Sequence, residues 1–388
     1  MIAYYLILFA TGFLILYAYR AVHLATASLP KFWRRFLRLS FLIAAIAVYA
    51  STSYIAVNRD TYRESKLLMN YATVGAITLS VTLLVMCIGQ LISDLVLFVR
   101  YLRFRSKSKA TEESANTMSR GTFISKAALA LGGVVLGSFL WGTTKGKFGW
   151  RIIRNKMSFA NLPKAFDGLK IVQISDLHLG SFNDNYEPLE EAVQMINELE
   201  PDYIVFTGDL VNETHTEAEP WIDVFSKLEA KRGKYSVLGN HDYGWGKKLT
   251  KEEKHLTSRK VAEVNQKMGF TILLNEHEIL EHDGEKIGLV GVENWGYSEQ
   301  NWFPTEGDYK KSVAEMEEVP FTILLSHDPT HWDHHIVGKE KVDITLAGHT
   351  HGGQISILGK ALYKPMGSGR YLQGWYESDT TKMYVSKG

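Results

Sequence analysis

Five compact apolar runs in the second half of this chain each stop at residues that can ligate a metal, and that repetition narrows the folds open to it. Residues 171–175 run into Asp176-Leu177-His178, and 203–207 into Gly208-Asp209. Residues 235–238 precede Gly239-Asn240-His241-Asp242, and 321–325 precede Ser326-His327-Asp328-Pro329. Residues 342–347 lead into Gly348-His349-Thr350-His351-Gly352-Gly353-Gln354. Such runs read as buried strands, and in an open α/β sheet ligands bind outside the carboxyl ends of the strands. Each string taken singly has a bland reading. An Asp after a strand bonds its own downstream backbone and favours a turn or a helix start. Histidines two apart, like His349 and His351, can be the exposed side of an edge strand. Five such endings in order along one α/β stretch point instead to a shared site.

The order Asp-x-His, Gly-Asp, Gly-Asn-His-Asp, His, Gly-His-Thr-His-Gly-Gly-Gln resembles the calcineurin-like metallophosphoesterase superfamily. It is most similar to the bacterial membrane-anchored branch that includes YkuE-like phosphoesterases and a UDP-2,3-diacylglucosamine diphosphatase of lipid A synthesis. The resemblance covers residues 165–388 and implies an α/β fold, a two-sheet sandwich flanked by helices (αββα). It also implies two divalent cations. In two-metal hydrolases these lie about 3.5–4 Å apart, so one carboxylate has to bridge them. By the resemblance that carboxylate is Asp209, with Asp176, His178 and His351 completing the first metal and Asn240, His327 and His349 the second. Imidazole, carboxylate and amide donors without thiolate suit Mn²⁺, Fe or Zn²⁺, with Mn²⁺ expected foremost. The nucleophile implied is a hydroxide held between the cations. His241 is implied as the non-ligand histidine that contacts phosphate and protonates the leaving oxygen, with Asp242 orienting it.

At 388 residues the chain is too long for one ordinary domain. A formal net charge of +1 gives no bulk basic field, so nucleic acid is not an expected partner. The one cysteine, Cys87, lies in an apolar segment, which excludes a disulfide framework and a thiolate metal site.

The first part reads as a transmembrane region over 1–144, with apolar spans at 2–19, 39–57, 70–99 and 124–142. The fourth is short and glycine-rich, so a buried or interfacial helix is its alternative. Asp94 sits near one end of the third, where a carboxylate is tolerated without a proton-relay role. Two connections are rich in Lys and Arg without acid: Arg20, Lys31, Arg34, Arg35 and Arg38, then Arg100, Arg103, Arg105, Lys107 and Lys109. Both read as cytoplasmic, and a fourth crossing then carries the catalytic domain outside the cytoplasm. Ser119-Arg120-Gly121-Thr122-Phe123-Ile124 is similar to a twin-arginine export signal with Gly121 in place of the second arginine. Against that orientation, a basic juxtamembrane linker over 145–164 carries Lys145, Lys147, Arg151, Arg154 and Lys156, a cluster that prefers the inside. On anionic headgroups each basic residue is worth about 1 kcal/mol; a solvated linker is the plainer alternative.

In the hydrolase part, 187–199, 218–231 and 251–268 are expected to be helical, while 272–292 and the chain from Gln354 onward read as antiparallel strand and turn. Trp245, Trp295, Tyr297 and Trp302 fall in loops that could rim the site, though single aromatics are more often packing anchors. His331, His334 and His335 match no metal motif and read as a polar helix start. Relatives continue past a Tyr-Val-Ser string with further strand, so a fragment lacking its final strands is one expectation for a chain ending Tyr384-Val385-Ser386-Lys387-Gly388.

These readings converge on an integral protein of a bacterial inner membrane. It would be a metallophosphoesterase hydrolysing a phosphoester or pyrophosphate, with the lipid bilayer and a phosphorylated, lipid-linked small molecule as partners. The alternatives are a phosphodiesterase or phosphatase acting on a soluble nucleotide or phosphoprotein, a nuclease, and a non-catalytic membrane sensor that keeps the fold. The intact ligand series and His241 favour an enzyme.

Overall fold

A computed structural model describes residues 2–58, 66–104, 120–182, 185–245, 249–296, 304–353, 356–357, 360–361 and 370–388. Tyr297, Trp302, Gln354 and most of the basic connection after residue 99 lie outside these. The chain divides into two compact units, Met1–Arg151 and Ile152–Gly388, so the boundary falls inside the basic linker.

The first unit consists of helices α1 (Ile2–Ala25), α2 (Lys31–Val57), α3 (Lys66–Phe104) and α4 (Arg120–Thr144). Among the described residues three segments are long and apolar enough to cross a membrane: Lys31–Ile55, Tyr71–Val99 and Phe123–Thr144. The fourth expected span, doubtful for its shortness, is part of a 25-residue helix. At 1.5 Å per residue that is about 37 Å, enough to cross. The side chains of residues 2–9 are outside the described set, so the first span rests on its sequence. Ile15, Ala18, Val22, Ala45, Leu83, Met86 and Cys87 form the inner cluster of this unit. Gly89 of α3 lies so close to Ala128 of α4 that a Cβ there would collide with it, the small-residue contact that lets membrane helices approach. Asp94 is clasped. Tyr17 Oη donates to one carboxylate oxygen (2.9 Å), Gln90 Nε2 to the other (2.9 Å), and the Arg20 guanidinium stands 3.1 Å away. Ser125 in turn donates to Gln90 Oε1 (3.0 Å), so one polar chain joins α1, α3 and α4. A charge in an apolar helix is tolerated when it is paired in this way.

The second unit is a sandwich of two sheets. β1 (Ile171–Ile174), β2 (Tyr203–Phe206), β3 (Gly233–Ser236) and β4 (Thr271–Ile272) form one, parallel throughout in the order β1-β2-β3-β4. The second contains β5 (Glu276–His282), β6 (Glu285–Gly291), β7 (Thr322–Leu325), β8 (Ile344–Ala347), β11 (Gly374–Glu377) and β12 (Lys382–Val385). Its order is β11-β12-β8-β7-β6-β5. Its centre is parallel and its two edges are antiparallel. A small hairpin, β9 (Ser356–Ile357) and β10 (Lys360–Ala361), stands apart. β2 and β7 are buried at every residue, which explains their uninterrupted apolar sequences: helices or another sheet cover both faces of a parallel sheet. Tyr203, Val205, Tyr235 and Val237 from one sheet pack against Leu280, Ile287, Leu289, Ile323, Leu325 and Leu346 from the other, forming the sandwich interior. Leu324 and Val290, one residue out of phase, join Trp332, Ile336 and Met383 on the opposite face.

Helix α5 (Glu187–Asn197) takes Pro188 in its first turn, where a missing N–H is harmless, with Glu187 and Glu190 at its positive end. Helix α7 (Lys251–Lys267) starts at Thr250, whose Oγ1 accepts from Glu253 N (3.2 Å) while the Glu253 carboxylate accepts from Thr250 N (2.8 Å). The expected helix over 218–231 is corrected to a single turn, α6 (Ile222–Phe225), preceded by 3₁₀ turns. Pro220 falls in the opening turns, where its missing N–H is harmless; the helix stops because the chain beyond Leu228 has to turn back to deliver Gly233 to β3. The histidines at 331, 334 and 335 fall in and beside a π-helical turn over Trp332–Ile336.

Candidate metal centre

All five ligand-bearing loops leave the carboxyl ends of β1, β2, β3, β7 and β8, so the site straddles both sheets at one end of the sandwich. Two hydrogen bonds lock the sheets together there. Gln173 Nε2 donates to Ala347 O (2.9 Å) and His327 Nδ1 to Thr207 O (2.7 Å). Gly208, at φ +93°, takes Asp209 through a turn closed to larger residues: a Cβ would lie 2.5 Å from Gly239 N.

Every expected ligand reaches this site. His178 Nε2 lies 3.2 Å from His351 Nε2 and 3.6 Å from Asp209 Oδ2. His351 Nε2 lies 3.5 Å from Asp176 Oδ1. On the other side His327 Nε2 is 3.2 Å from Asp209 Oδ2, and His349 Nδ1 is 2.8 Å from Asn240 Oδ1. Three groups gather their ligand atoms within 4.8 Å: Asp176–His178–His351, His178–Asp209–His241 and Asp209–His327–His349. Asp209 is common to two of them.

The chemistry of these donors fits a divalent cation. Because a carbonyl only accepts, His327 Nδ1 carries the proton toward Thr207 O. Its buried Nε2, which makes no hydrogen bond, therefore turns a lone pair toward the Asp209 carboxylate. Two acceptors face to face need a cation or a proton between them. Among the chain's own groups a proton serves. Burial works against the charged imidazole, but the Asp209 carboxylate, the Asp176 charge and the Thr207 carbonyl together outweigh it and push His327 up to about 10. Burial likewise raises Asp209, yet His327 and His241 hold it well below the usual carboxylate range. Burial lowers His178 and His349, keeping their imidazoles in the neutral form that ligates metal. The backbone tells the same story. Asp176, His178, Asp209, His349 and His351 all sit at positive φ (55°, 45°, 60°, 74° and 48°). Side-chain-bearing residues avoid this region at a cost of about 1–3 kcal/mol each, and such strain clusters at functional sites.

His241 stands beside the ligands. Its N–H donates to Asp209 Oδ1 (2.9 Å), and its Nδ1 donates to Asn212 O (2.8 Å), which leaves Nε2 as the nitrogen facing the site. The His178 ring meets it edge-on with centroids 4.6 Å apart, and Trp245 covers it at 5.5 Å. The expected Asp242–His241 contact is replaced by another. The Asp242 carboxylate accepts from the backbone N–H groups of Gly239, Asp209 and Leu210 (2.9 Å each) and from Val211 (3.3 Å). Burial and the Asp209 charge push it up to about 7, opposed by those N–H donors. The Asn212 carbonyl thus orients His241, while Asp242 clamps the two ligand loops together.

Sequence reasoning missed Asn212, whose contribution is a main-chain carbonyl and leaves no residue-type signal. It also passed over Asp328, although the residue was visible beside His327. Trp295 packs against His335 (4.4 Å), His331 and His334 (5.6 Å each), a packing role for this expected rim aromatic. Burial, with His335 adding to it, pushes His331 down to about 3.

Residues 169–353 match the model of the calcineurin-like phosphoesterase family, and residues 1–147 match that of a probable calcineurin-like phosphoesterase transmembrane domain. A metallophosphoesterase of Bacillus subtilis, YkuE, is 33% identical over 234 residues, covering 58% of this chain and 74% of that protein. The chain belongs to the calcineurin-like phosphoesterase family. It is a membrane-associated member, a hydrolase acting on phosphoester bonds. Phosphodiesterase YaeI of Escherichia coli is 27% identical, covering 62% of this chain and 82% of its own. A bovine transmembrane protein with a metallophosphoesterase domain is 29% identical across 58% of this chain; the match spans half of that longer relative. A dimetal phosphatase structure from Danio rerio covers 57% of this chain and 87% of its own at 14% identity, with a TM-score of 0.32, too slight a likeness to build on.

Proposed function

We propose that this protein hydrolyses a phosphoester or pyrophosphate bond of a lipid-linked substrate, with two divalent cations bridged by Asp209. The observation that carries this is the membership of Asp209 in two donor groups, beside a histidine whose free nitrogen faces the same space. Asp176, His178 and His351 would hold one cation, and Asn240, His327 and His349 the other, with Mn²⁺ the best fit to mixed nitrogen and oxygen donors. When bound, such a pair acidifies water and shields phosphate charge. The chain's own residues do the rest. His241, fixed through Nδ1 by Asn212 O, presents Nε2 to the leaving oxygen and, in its doubly protonated form, donates the Nε2 proton the leaving oxygen requires. Asp242 keeps Asp209 and Asn240 in register through backbone N–H groups. The membrane helices favour a lipid-linked phosphate, a UDP-diacylglucosamine type or a phospholipid, over a soluble nucleotide or phosphoprotein.

A screen of the full chain in detergent with Mn²⁺ tests this against nucleotide-sugar lipids, phospholipids and simple phosphodiesters. Turnover of a lipid-linked phosphate, abolished by His241→Ala, supports the reading; turnover confined to soluble esters contradicts the substrate class. The Lys and Arg distribution further favours an extracytoplasmic catalytic unit. Alkaline phosphatase fused after Gly388 should then be active and green fluorescent protein dark, and the reverse pattern would place the site in the cytoplasm.

A further inference from the structure

The loop that aims His241 is itself held by a buried acid that no ligand string contains. Glu217 ends the 3₁₀ turn His215–Glu217 and is 7% exposed. Its Oε2 accepts from Asn212 N (2.6 Å) and from Glu213 N (3.4 Å). The second contact bears on His241. The N–H of Glu213 and the carbonyl of Asn212 belong to one planar trans peptide, so they point in opposite directions. Glu217 holds that peptide by its N–H end, while its carbonyl end meets His241 Nδ1 at 2.8 Å. Gly180 gives the carboxylate its room: a Cβ there would collide with Glu217 Oε2 and lie 3.0 Å from Asn212 Nδ2. We propose that Glu217 is a positioning residue that aims His241 at the leaving group through the Asn212–Glu213 peptide.

The inference rests on the reading of His241 as proton donor given above, and its physical reason is rotation. A peptide anchored at one end can turn about the soft dihedrals that flank it, and its carbonyl swings with it. Anchored at both ends it becomes a rigid strut between carboxylate and imidazole. Asp242, the acid next to His241 in sequence, is engaged by backbone N–H groups elsewhere, so the strut stands in for a direct carboxylate contact. Proton transfer is sensitive to such placement: an error of about 1 Å can cost about 10²-fold.

Leaving-group dependence isolates this role, because a nitrophenol departs without a proton and an unactivated phenol needs one. The Mn²⁺-loaded full chain in detergent is assayed for kcat/KM on aryl methyl phosphodiesters and aryl phosphomonoesters that release either phenol. Glu217→Ala should lose about 10–100-fold on the phenyl esters and little on the nitrophenyl esters, at wild-type metal content. Glu217→Gln keeps an acceptor oxygen and should recover most of that loss. Gly180→Ala displaces the carboxylate without removing it and should reproduce the selective loss; if Glu217→Ala does not fold, Gly180→Ala decides. Hydrogen exchange of the metal-free chain reads the strut without turnover: the Asn212 and Glu213 amides should be protected in the wild type and exchange faster in Gly180→Ala. An equal loss on every ester, no loss on any, or unprotected amides in the wild type would overturn the proposal. His241→Ala is the reference. If it shows no selective loss on phenyl esters, the proton-donor reading fails and the proposal with it. A selective loss in His241→Ala that neither the Glu217 nor the Gly180 variant shares overturns the proposal alone.

Discussion

The two halves of the centre use the same donor types at different depths. On the deep side His327 and Asp209 have side chains 0% and 1% exposed, and His349 lies over the buried Asp328. On the open side His178 and His351 are 16% and 28% exposed, at φ 45° and 48°. Behind the deep His327 stands a buried acceptor, Thr207 O, so its tautomer is part of the packing. The left-handed backbone is shared by both halves, with His349 at φ 74° as well as His178 at 45° and His351 at 48°. The deep half should therefore behave as core and the open half as an exchangeable mouth.

Deletion inside the two halves should show the largest contrast. His327→Ala should lower activity at least about a thousandfold and also destabilise the metal-free protein by about 3–5 kcal/mol, because Asp209 is left a buried charge without its partner. His351→Ala should lose comparable activity yet keep a near-wild-type melting temperature without metal. Equal melting losses in both variants would erase the distinction.

Next in size is His241→Ala. It removes a proton donor and no expected ligand, so turnover should fall about 10²–10⁴-fold with metal content unchanged by elemental analysis. Loss of a cation in that variant would make His241 a ligand, as its grouping with His178 and Asp209 permits.

Graded chelation sharpens the comparison further. With rising EDTA one equivalent of metal should leave well before the other, and the residual metal should be retained in His351→Ala but lost in His349→Ala. Simultaneous loss of both would contradict halves of different depth.

The smallest effect concerns the floor of the deep half, where Ser326 Oγ meets Nδ1 of the buried His331 (3.0 Å). Folding depresses this histidine from its ordinary value to about 3, so the unfolded chain binds the extra proton between those values. The stability it contributes is present above about pH 6.5 and is lost as pH falls toward 3. Between pH 7 and 4 the melting temperature of the wild type should fall more steeply than that of His331→Gln; parallel curves would show that His331 does not titrate with unfolding.

The sequence showed what depends on residue type and order. Uninterrupted apolar strands revealed a buried parallel sheet because both of its faces are covered, and the ligand strings followed because each strand end carries its own donors. What escaped notice depends on contacts across the chain. Asn212 acts through a carbonyl, which every residue has. Asp242, adjacent to His241 in sequence, turns inward to four backbone N–H groups, three of them presented by the chain after the tight Gly208 turn and one by Gly239 of its own loop. Asp328 stood in plain view after His327, but its partner lies on β8's loop, beyond the reach of local pattern. The helix expected over 218–231 failed because the chain beyond Leu228 turns back to deliver Gly233 to β3, a tertiary demand that local periodicity does not carry. Asp94 looked tolerable at a helix edge, whereas packing gives it Tyr17, Arg20 and Gln90.

The central claim is that Asp209 is shared by two cations, and metal stoichiometry tests it most directly. Elemental analysis of the full chain in detergent, saturated with Mn²⁺ and freed of excess, should give two ions per chain for the wild type. Asp209→Asn should give fewer than one, because a single substitution weakens both halves at once. Two ions retained in Asp209→Asn, or only one in the wild type, would contradict the shared carboxylate.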